Sequence, residues 1–277
     1  MTATRGVVYA ATGAGYTALA VQSAQSLRAC CPDVAIDLFT DQPDVSAPFD
    51  RIHRLADDFF RPKFAALRHS RFDRTMYLDA DTLVVADPLD ALDILDRFDV
   101  ALAHDPYRNT EHATADWGAT LPAAFPQFNS GVIAARQTDV TASLWDEMVA
   151  ALRRDALPRD QPILRRLLYD SDLRIATLPE EYNLMNLRAM NILSGYTTAP
   201  RILHSPRLHA AFRKGKGAVA TPQDLLGAAG AAQLKRLIAV DRTLGGTPKK
   251  VAPLFQRGLL GQLHARTGLI RGRFFHR

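Results

Sequence analysis

The chain of 277 residues is poor in cysteine, and its only two cysteines, Cys30 and Cys31, are adjacent. Neighbouring cysteines rarely bridge each other, so the sequence offers no disulfide framework and is typical of a reducing compartment. No uncharged apolar run reaches the ~18 residues that a membrane-spanning helix needs. Apolar residues make up 47% and charged residues 23%, which excludes intrinsic disorder, collagen and coiled coil for the chain as a whole.

Acidic residues are absent after Asp241, whereas eight basic residues follow it. This last segment therefore contributes +8, and the remainder of the chain, at −3, is mildly acidic, which together give the net charge of +5. Basic residues mixed with leucine, isoleucine and phenylalanine predict either an interfacial segment on an anionic membrane or a helix docked on the domain with a basic end. No aromatic-basic motif of the known nucleic-acid modules is present, so we expect no nucleic-acid partner.

The first residues are small and apolar, as in a signal peptide. The segment Thr12-Gly13-Ala14-Gly15-Tyr16 interrupts that run, and only Arg5 precedes it, so a strand, a turn and a helix are the better interpretation. We therefore expect a cytoplasmic protein, with peripheral attachment to the inner face of the plasma membrane if the basic segment is interfacial.

Short apolar runs alternate with segments of helical spacing along the chain. Strands are predicted at residues 7–11, 34–40, 51–55, 75–78, 100–103 and 130–135, and helices at 16–29, 62–70, 140–153 and 161–169. This alternation predicts an α/β fold with a mainly parallel central sheet flanked by helices. Ligands of open α/β sheets bind at the carboxyl ends of the strands, where Asp41, the pair Asp79 and Asp81, and Asp105 fall.

The pair Asp79 and Asp81 closes a buried strand in the segment Leu78-Asp79-Ala80-Asp81-Thr82. Two carboxylates in this position can share one hard cation such as Mg²⁺ or Mn²⁺, which keeps open coordination positions for phosphate oxygens. A solvated turn at the end of the strand is the plain alternative for an isolated Asp-x-Asp.

Together with Phe128-Asn129-Ser130-Gly131, Asp160-Gln161 and His204, this segment resembles the family 8 glycosyltransferases, the group of glycogenin and the lipopolysaccharide galactosyltransferases. The resemblance implies the GT-A fold, a Rossmann-like nucleotide-diphospho-sugar transferase fold. It also implies a metal site made by Asp79, Asp81 and His204, with Mn²⁺ or Mg²⁺ as the cofactor.

The resemblance also assigns the other positions of the site. It implies nucleotide binding by Ala11, Thr12, Tyr16, Lys63, Asp79 and Ala80, sugar binding by Asp105, Asn129, Ser130 and Gly131, and catalysis by Asp160 and Gln161. Structural alternatives stay open: Tyr16 as a residue that starts a helix, Lys63 as a solvated lysine, and Asp160 as a helix N-cap. Asn129-Ser130-Gly131 is expected as a turn that opens a strand.

The chain departs from the family pattern in two places. The loop Thr12-Gly13-Ala14-Gly15 lacks the Asp or Asn that family members often carry, which leaves the nucleotide base open. Family members also carry a lysine that binds the diphosphate, a few residues after the histidine that corresponds to His204. This lysine is missing here. Its role can pass to any one of four basic residues, Arg207, Arg213, Lys214 and Lys216.

We therefore expect a metal-dependent hexosyltransferase that moves sugar from a nucleoside diphosphate sugar, in particular a UDP-sugar, with retention of anomeric configuration. The acceptor is expected to be a glycan or a lipid-linked molecule of the cell envelope, held by loops at 107–125 and 183–200. Residues 1–215 are predicted as the GT-A domain and 216–277 as a basic, amphipathic C-terminal extension. Two rivals are a non-catalytic nucleotide-sugar or glycan-binding protein and a haloacid-dehalogenase-type phosphatase, although the latter's Gly after Asp-x-Asp is missing.

Overall fold

The computed structural model describes residues 3–42, 44–45, 48–55, 61–110, 116–155, 159–209 and 221–257. The strands are β1 Arg5–Ala11, β2 Ala35–Thr40, β3 Arg51–Arg54, β4 Arg74–Leu78, β5 Thr82–Val84, β6 Val100–His104, β7 Phe128–Arg136, β8 Ile175–Leu178 and β9 Ile202–His204. The α-helices are α1 Gly13–Cys30, α2 Lys63–Arg68, α3 Asp139–Asp155, α4 Gln161–Asp170 and α5 Pro222–Val240. None of the described helices is long and apolar enough to cross a membrane.

The chain divides into two compact units. The first comprises Met1–Met185 with Arg201–Val219, and the second comprises Asn186–Pro200 with Ala220–Arg277. The predicted division into a domain of residues 1–215 and an extension of 216–277 stays a prediction. All the strands named above lie in the first unit, and α5 lies in the second.

The first unit is built on a seven-stranded sheet of order β3-β2-β1-β4-β7-β6-β8. Strands β1 to β4 run parallel, β6 and β8 run parallel to each other, and β7 runs antiparallel to both of its neighbours. The predicted α/β fold with a mainly parallel sheet is therefore confirmed. Because β7 is reversed, its first residues lie at the edge where the parallel strands end.

Both faces of this sheet are buried, which explains why its central strands are continuous apolar runs. Alternate residues of β1 enter opposite core layers, with Val7 and Tyr9 on one face and Val8 and Ala10 on the other. Helix α1 covers the first face, and α2, α3 and α4 cover the second. This packing fixes the ends of the strands that carry the polar residues.

A second sheet, of only two strands, pairs β5 antiparallel with β9. Small hydroxyl residues of α1 anchor it: Ser23 Oγ lies 2.7 Å from Thr82 Oγ1, and Ser26 Oγ accepts the Val84 N–H at 2.9 Å. The sequence analysis did not predict β5, because three residues are too few to show a period.

Two boundaries differ from the sequence-based expectation in ways that affect the site. Helix α1 begins at Gly13, whose positive φ of 78° suits glycine, instead of at residue 16. Strand β7 begins at Phe128, so Asn129, Ser130 and Gly131 lie inside a buried strand and do not form the expected turn. Pairing of Phe128 with His104, after an irregularity in β6, extends the ladder over these residues.

Candidate active site

Pairing between strands brings the acidic pair and a late histidine together. Asp79 follows β4, and its N–H donates to the Gly131 carbonyl of the reversed strand at 2.8 Å. Asp81 directly precedes β5, whose first residue, Thr82, is paired with His204 of β9. The Ser205 N–H donates to the Asp81 carbonyl at 3.1 Å. The two-stranded sheet therefore places the His204 ring beside two carboxylates that are distant in the sequence.

Asp79, Asp81 and His204 each offer a ligand atom, and these atoms all lie within 4.8 Å of one another. His204 Nε2 lies 3.2 Å from Asp81 Oδ1, and His209 Nε2 lies 2.9 Å from Asp81 Oδ2. Burial opposes the charged form of Asp81, but the two imidazoles outweigh it and hold the pKa of this carboxyl well below its usual range. Burial likewise opposes protonation of His204, yet Asp81 raises the pKa of its ring.

A chain of buried amides fixes which nitrogen of His204 faces the carboxylates. The Gly131 N–H donates to Asn129 Oδ1 at 2.9 Å, and a backbone N–H cannot accept in return. Asn129 Oδ1 also receives the Asn183 amide at 2.9 Å, which leaves Asn183 Oδ1 against His204 Nδ1 at 2.9 Å. His204 Nδ1 must therefore carry a hydrogen, and Nε2 is the ring nitrogen available to a cation.

The donor set fits a divalent ion of intermediate hardness. Two carboxylates suit Mg²⁺ or Mn²⁺, and an imidazole nitrogen extends the set toward the transition metals. Asp79 and Asp81 would bind through oxygen, and His204 through Nε2. The neighbouring Asn183 supplies the outer hydrogen bond that metal-binding histidines usually make.

Lys63 lies at the centre of a second buried cluster. Its ammonium group is 2.9 Å from Asp79 Oδ1 and 3.4 Å from Asp160 Oδ2, and it donates to the Ser130 hydroxyl at 3.1 Å. Burial disfavours the ammonium form, but Asp79 and Asp160 outweigh it and raise the pKa of Lys63. The Tyr77 hydroxyl donates to Asp79 Oδ1 at 2.7 Å. Lys63 is therefore a buried cation that orders two carboxylates, which excludes the alternative of a solvated lysine.

Asp160 occupies the N-cap position of α4, but its side chain makes no cap hydrogen bond. Its carboxylate instead accepts from the Ser130 hydroxyl at 2.8 Å. Burial would raise its pKa, and the nearby cations Lys63 and Arg61 reverse that effect and lower the pKa of Asp160. The fold therefore keeps a buried negative charge beside the start of β7.

Asp105 connects the predicted sugar-binding and catalytic residues. Its Oδ2 accepts from Gln161 Nε2 at 2.9 Å and from Asn129 Nδ2 at 3.3 Å. Since Asn129 also bonds Asn183, a continuous run of hydrogen bonds joins Gln161 to His204. The orientations of the predicted sugar-binding and metal-binding residues are thus coupled.

A cavity of about 510 Å³ opens beside Asp79 and Asp81, which is within the usual range for small-molecule sites. Its lining includes the predicted nucleotide-binding residues Ala11, Thr12, Tyr16, Lys63, Asp79 and Ala80. Tyr16 is 49% exposed, and its ring meets the His209 ring edge to face at 4.9 Å between centroids. Asp105, Asn129, Ser130, Gly131, Asp160, Gln161 and His204 do not line this cavity, and the hydrogen bonds and pairings above connect them to it.

Sequence reasoning missed two residues of this region, His209 and Arg61, which line the cavity. It identified two others without their contacts. Asp41, expected as an acid at a strand end, accepts the Gly13 N–H at 2.8 Å at the start of α1. Asn183, expected in a loop before the late histidine with a structural or acceptor-facing role, orients His204. Of the basic residues considered for the diphosphate, Arg207 is an exposed residue of the described chain, whereas Arg213, Lys214 and Lys216 lie outside the described residues.

A family model for nucleotide-diphospho-sugar transferases matches residues 74–215, which is half of the chain. The chain belongs to this family. The transferase is thus a glycosyltransferase, and the matched segment carries Asp79, Asp81, the Asn-Ser-Gly residues of β7, Asp160 and His204. No curated protein sequence gives a significant match to the transferase.

Two solved glycosyltransferases resemble the transferase in structure. GlyE of Streptococcus pneumoniae TIGR4 is 20% identical with a TM-score of 0.51, over 72% of this chain and 54% of its own. The galactosyltransferase LgtC, in complex with donor and acceptor sugar analogs, is 16% identical with a TM-score of 0.51, over 80% of this chain and 99% of its own. The transferase thus spans about half the length of GlyE and nearly all of LgtC, and the likeness establishes the GT-A fold.

Proposed function

We propose that this protein is a metal-dependent, retaining hexosyltransferase of the family 8 type, with a UDP-sugar as its donor. The observation that carries the proposal is the convergence of Asp79, Asp81 and His204 within 4.8 Å, beside a cavity that the predicted nucleotide-binding residues line. Two carboxylates and one imidazole next to a nucleotide-sized cavity are the groups needed to hold a diphosphate through Mn²⁺ or Mg²⁺.

The cavity, together with the residues that hydrogen bonds connect to its lining, offers a partner for each part of the donor. The exposed face of Tyr16, braced by His209, suits the flat nucleotide base. Arg61 lies on the same wall as Lys63 and adds a positive charge for the diphosphate. Asn129 and Ser130 offer the sugar hydroxyls an amide and a hydroxyl, which can both donate and accept, and Asp105 offers a carboxylate that accepts from them.

Transfer breaks the bond between the anomeric carbon and the β-phosphate oxygen and forms a bond from that carbon to the acceptor oxygen. A divalent ion, when bound, acts as a Lewis acid toward the negative charge on the leaving diphosphate. The ionised Asp160 carboxylate faces the positive charge that develops on the sugar, as a stabiliser or a transient nucleophile. Gln161, hydrogen bonded to Asp105, positions the donor sugar.

Calorimetry with a panel of nucleotide sugars, with and without Mn²⁺, followed by a donor-hydrolysis assay, tests the proposal. We expect the wild type to bind and hydrolyse one UDP-sugar only with the metal. Asp81→Asn should lower hydrolysis by roughly 100-fold or more, since one group that stabilises the transition-state charge is typically worth that much. Asp146→Asn, at an exposed ion pair with Arg68, is the matched control. Binding without turnover with any acceptor would favour the non-catalytic rival, and full activity of Asp81→Asn would exclude the metal site.

A further inference from the structure

We propose that the second unit carries a separate binding site for a phosphate-bearing saccharide. The site is a cavity of about 520 Å³ between the loop at 195–198 and the segment at 240–251. All of its lining residues belong to the second unit. None of them has a role in the donor site described above.

Hydrogen bonds join the two segments that form the walls of this cavity, so the cavity is a fixed feature of the second unit. The Gly195 N–H donates to the Val251 carbonyl at 2.9 Å. The buried Gln233 amide donates to the carbonyls of Leu193 at 3.0 Å and Ala252 at 3.1 Å, which joins the two segments behind the wall. A Cβ on Gly195 would lie 2.7 Å from the Lys249 carbonyl, so glycine permits this close approach.

The acidic residue in the lining is a structural brace. Asp241 Oδ2 accepts the Ala199 N–H at 2.6 Å, and Oδ1 accepts the N–H and the hydroxyl of Thr243 at 2.8 and 2.7 Å. Asp241 is also buried. Its charge is therefore directed into the backbone of the unit, away from the basic side chains around the opening.

Three cations, Arg242, Lys249 and Lys250, line the same cavity, and all three are exposed. Within the part of the chain that the structure describes, no carboxylate forms an ion pair with any of them. Cations grouped at a concave surface repel one another and concentrate anions there. Arginine and lysine together are the usual partners of phosphate oxygens.

The remaining lining residues favour a saccharide as the carrier of that phosphate. Tyr196 is 96% exposed, which is unusual for a large aromatic ring, and it lies in the lining next to Thr197 and Thr198. A tyrosine ring offers an apolar face and a polar hydroxyl, and threonine hydroxyls both donate and accept hydrogen bonds. The cations would bind the phosphate, and the ring and hydroxyls would contact the sugar. Assigning this saccharide as the sugar acceptor of the transfer reaction rests on the proposed function. Its binding to the second unit does not depend on that function.

Calorimetry on the full chain saturated with UDP and Mn²⁺ tests the site while the donor cavity is blocked. The probes are glucose 6-phosphate, glucose and inorganic phosphate. We expect glucose 6-phosphate to bind at least tenfold more tightly than glucose. The triple variant R242Q/K249Q/K250Q should weaken the binding of glucose 6-phosphate at least tenfold. Tyr196→Ser should weaken the binding of glucose 6-phosphate but not that of inorganic phosphate. The control K235Q/R236Q removes two exposed charges of α5 that lie outside the lining.

Binding to vesicles of phosphatidylcholine, with and without phosphatidylglycerol, shows whether the phosphate that this site recognises belongs to a lipid or to a saccharide. Charge-dependent vesicle binding that the triple variant loses, with no glucose 6-phosphate binding, would overturn the saccharide assignment. Unchanged glucose 6-phosphate affinity in the triple variant, or none in the wild type, would overturn the site. Failure of the proposed function would instead appear as a wild-type protein that neither binds nor hydrolyses any UDP-sugar. The variants of the second unit are expected to leave UDP-sugar binding and hydrolysis unchanged, so the two failures are distinguishable.

Discussion

Single side chains of the candidate active site are oriented by hydrogen bonds to buried neighbours. Asn183 is the clearest case, because its amide connects the Asn129 carbonyl oxygen to His204 Nδ1. The Gly131 backbone N–H sets the direction of this chain of hydrogen bonds. A positioning residue of this kind determines whether His204 Nε2 has a lone pair to offer a cation in the proposed metal site.

Replacing Asn183 with leucine should weaken Mn²⁺ binding by about 10–100-fold, the usual effect of losing the outer partner of a metal-binding histidine. Calorimetric titration of Mn²⁺ measures the affinity, and ¹⁵N chemical shifts of the His204 ring report its tautomer. Gln233→Leu is the control, since it removes a buried amide whose hydrogen bonds go to Leu193 and Ala252. Unchanged Mn²⁺ affinity and tautomer in Asn183→Leu would refute the role.

Lys63→Met should lower the free energy of unfolding by about 3–5 kcal/mol, because it leaves the buried Asp160 and the half-buried Asp79 without their shared cation. Arg68→Met, on the same helix, removes an exposed ion pair with Asp146 and should cost about 0–1 kcal/mol. Urea unfolding monitored by circular dichroism gives both values. Adding Asp160→Asn to Lys63→Met should recover part of the loss, and equal losses in the two single variants would contradict the buried cluster.

Among the elements, β7 does the most to assemble the site. Its reversed direction brings Asn129, Ser130 and Gly131 to the edge where β4 and β6 end. Its fourth residue must also be small, since a Cβ on Gly131 would lie 2.3 Å from His204 Cε1 and 2.7 Å from Nδ1. The strand therefore sets the room available to the histidine.

We expect Gly131→Ala to displace His204, to weaken Mn²⁺ binding at least tenfold and to destabilise the protein by about 1–3 kcal/mol through overpacking. Gly6→Ala on β1 is the matched control, because its Cβ would meet the Phe72 ring at 2.3 Å. Both variants should lose stability in thermal unfolding, and only Gly131→Ala should lose metal affinity in the titration. A similar loss of affinity in both would show a general packing effect.

The sequence was sufficient to predict the mainly parallel sheet and to select acidic residues that the structure brings together with His204, for identifiable reasons. Apolar runs mark β1, β2, β4 and β6, and ligand binding at strand ends directed attention to Asp79, Asp81 and Asp105. The direction of β7 was beyond prediction because an apolar run reads the same in either orientation. The role of Asn183 was missed for a related reason, since it depends on a neighbour, Asn129, that only the folded chain supplies.

The whole molecule combines a mildly acidic body with a basic end. Four of the basic residues after Asp241 are Arg266, Arg271, Arg273 and Arg277, within the predicted interfacial segment. That segment lies outside the described residues from 258 onward. Its composition supports the proposal of peripheral attachment to an anionic membrane.

Deleting residues 258–277 should release the protein from phosphatidylglycerol vesicles at low salt, because it removes these four charges together with the apolar residues between them. Donor hydrolysis should be unchanged. Vesicle sedimentation measures binding, and a variant with the four arginines changed to glutamine separates charge from apolar insertion. Retention of the truncated protein on the vesicles would assign membrane binding, if any, to another part of the chain.

The pairing of β5 with β9 has a consequence for biogenesis. A nascent chain on the ribosome exposes Asp79 and Asp81 well before His204 has been made, so the proposed cation site is complete only after residue 204 has been added. Any divalent ion that binds all three groups then stabilises a contact between distant parts of the chain, by mass action on the folded state. Metal supply during synthesis would therefore affect the yield of folded enzyme as well as its turnover.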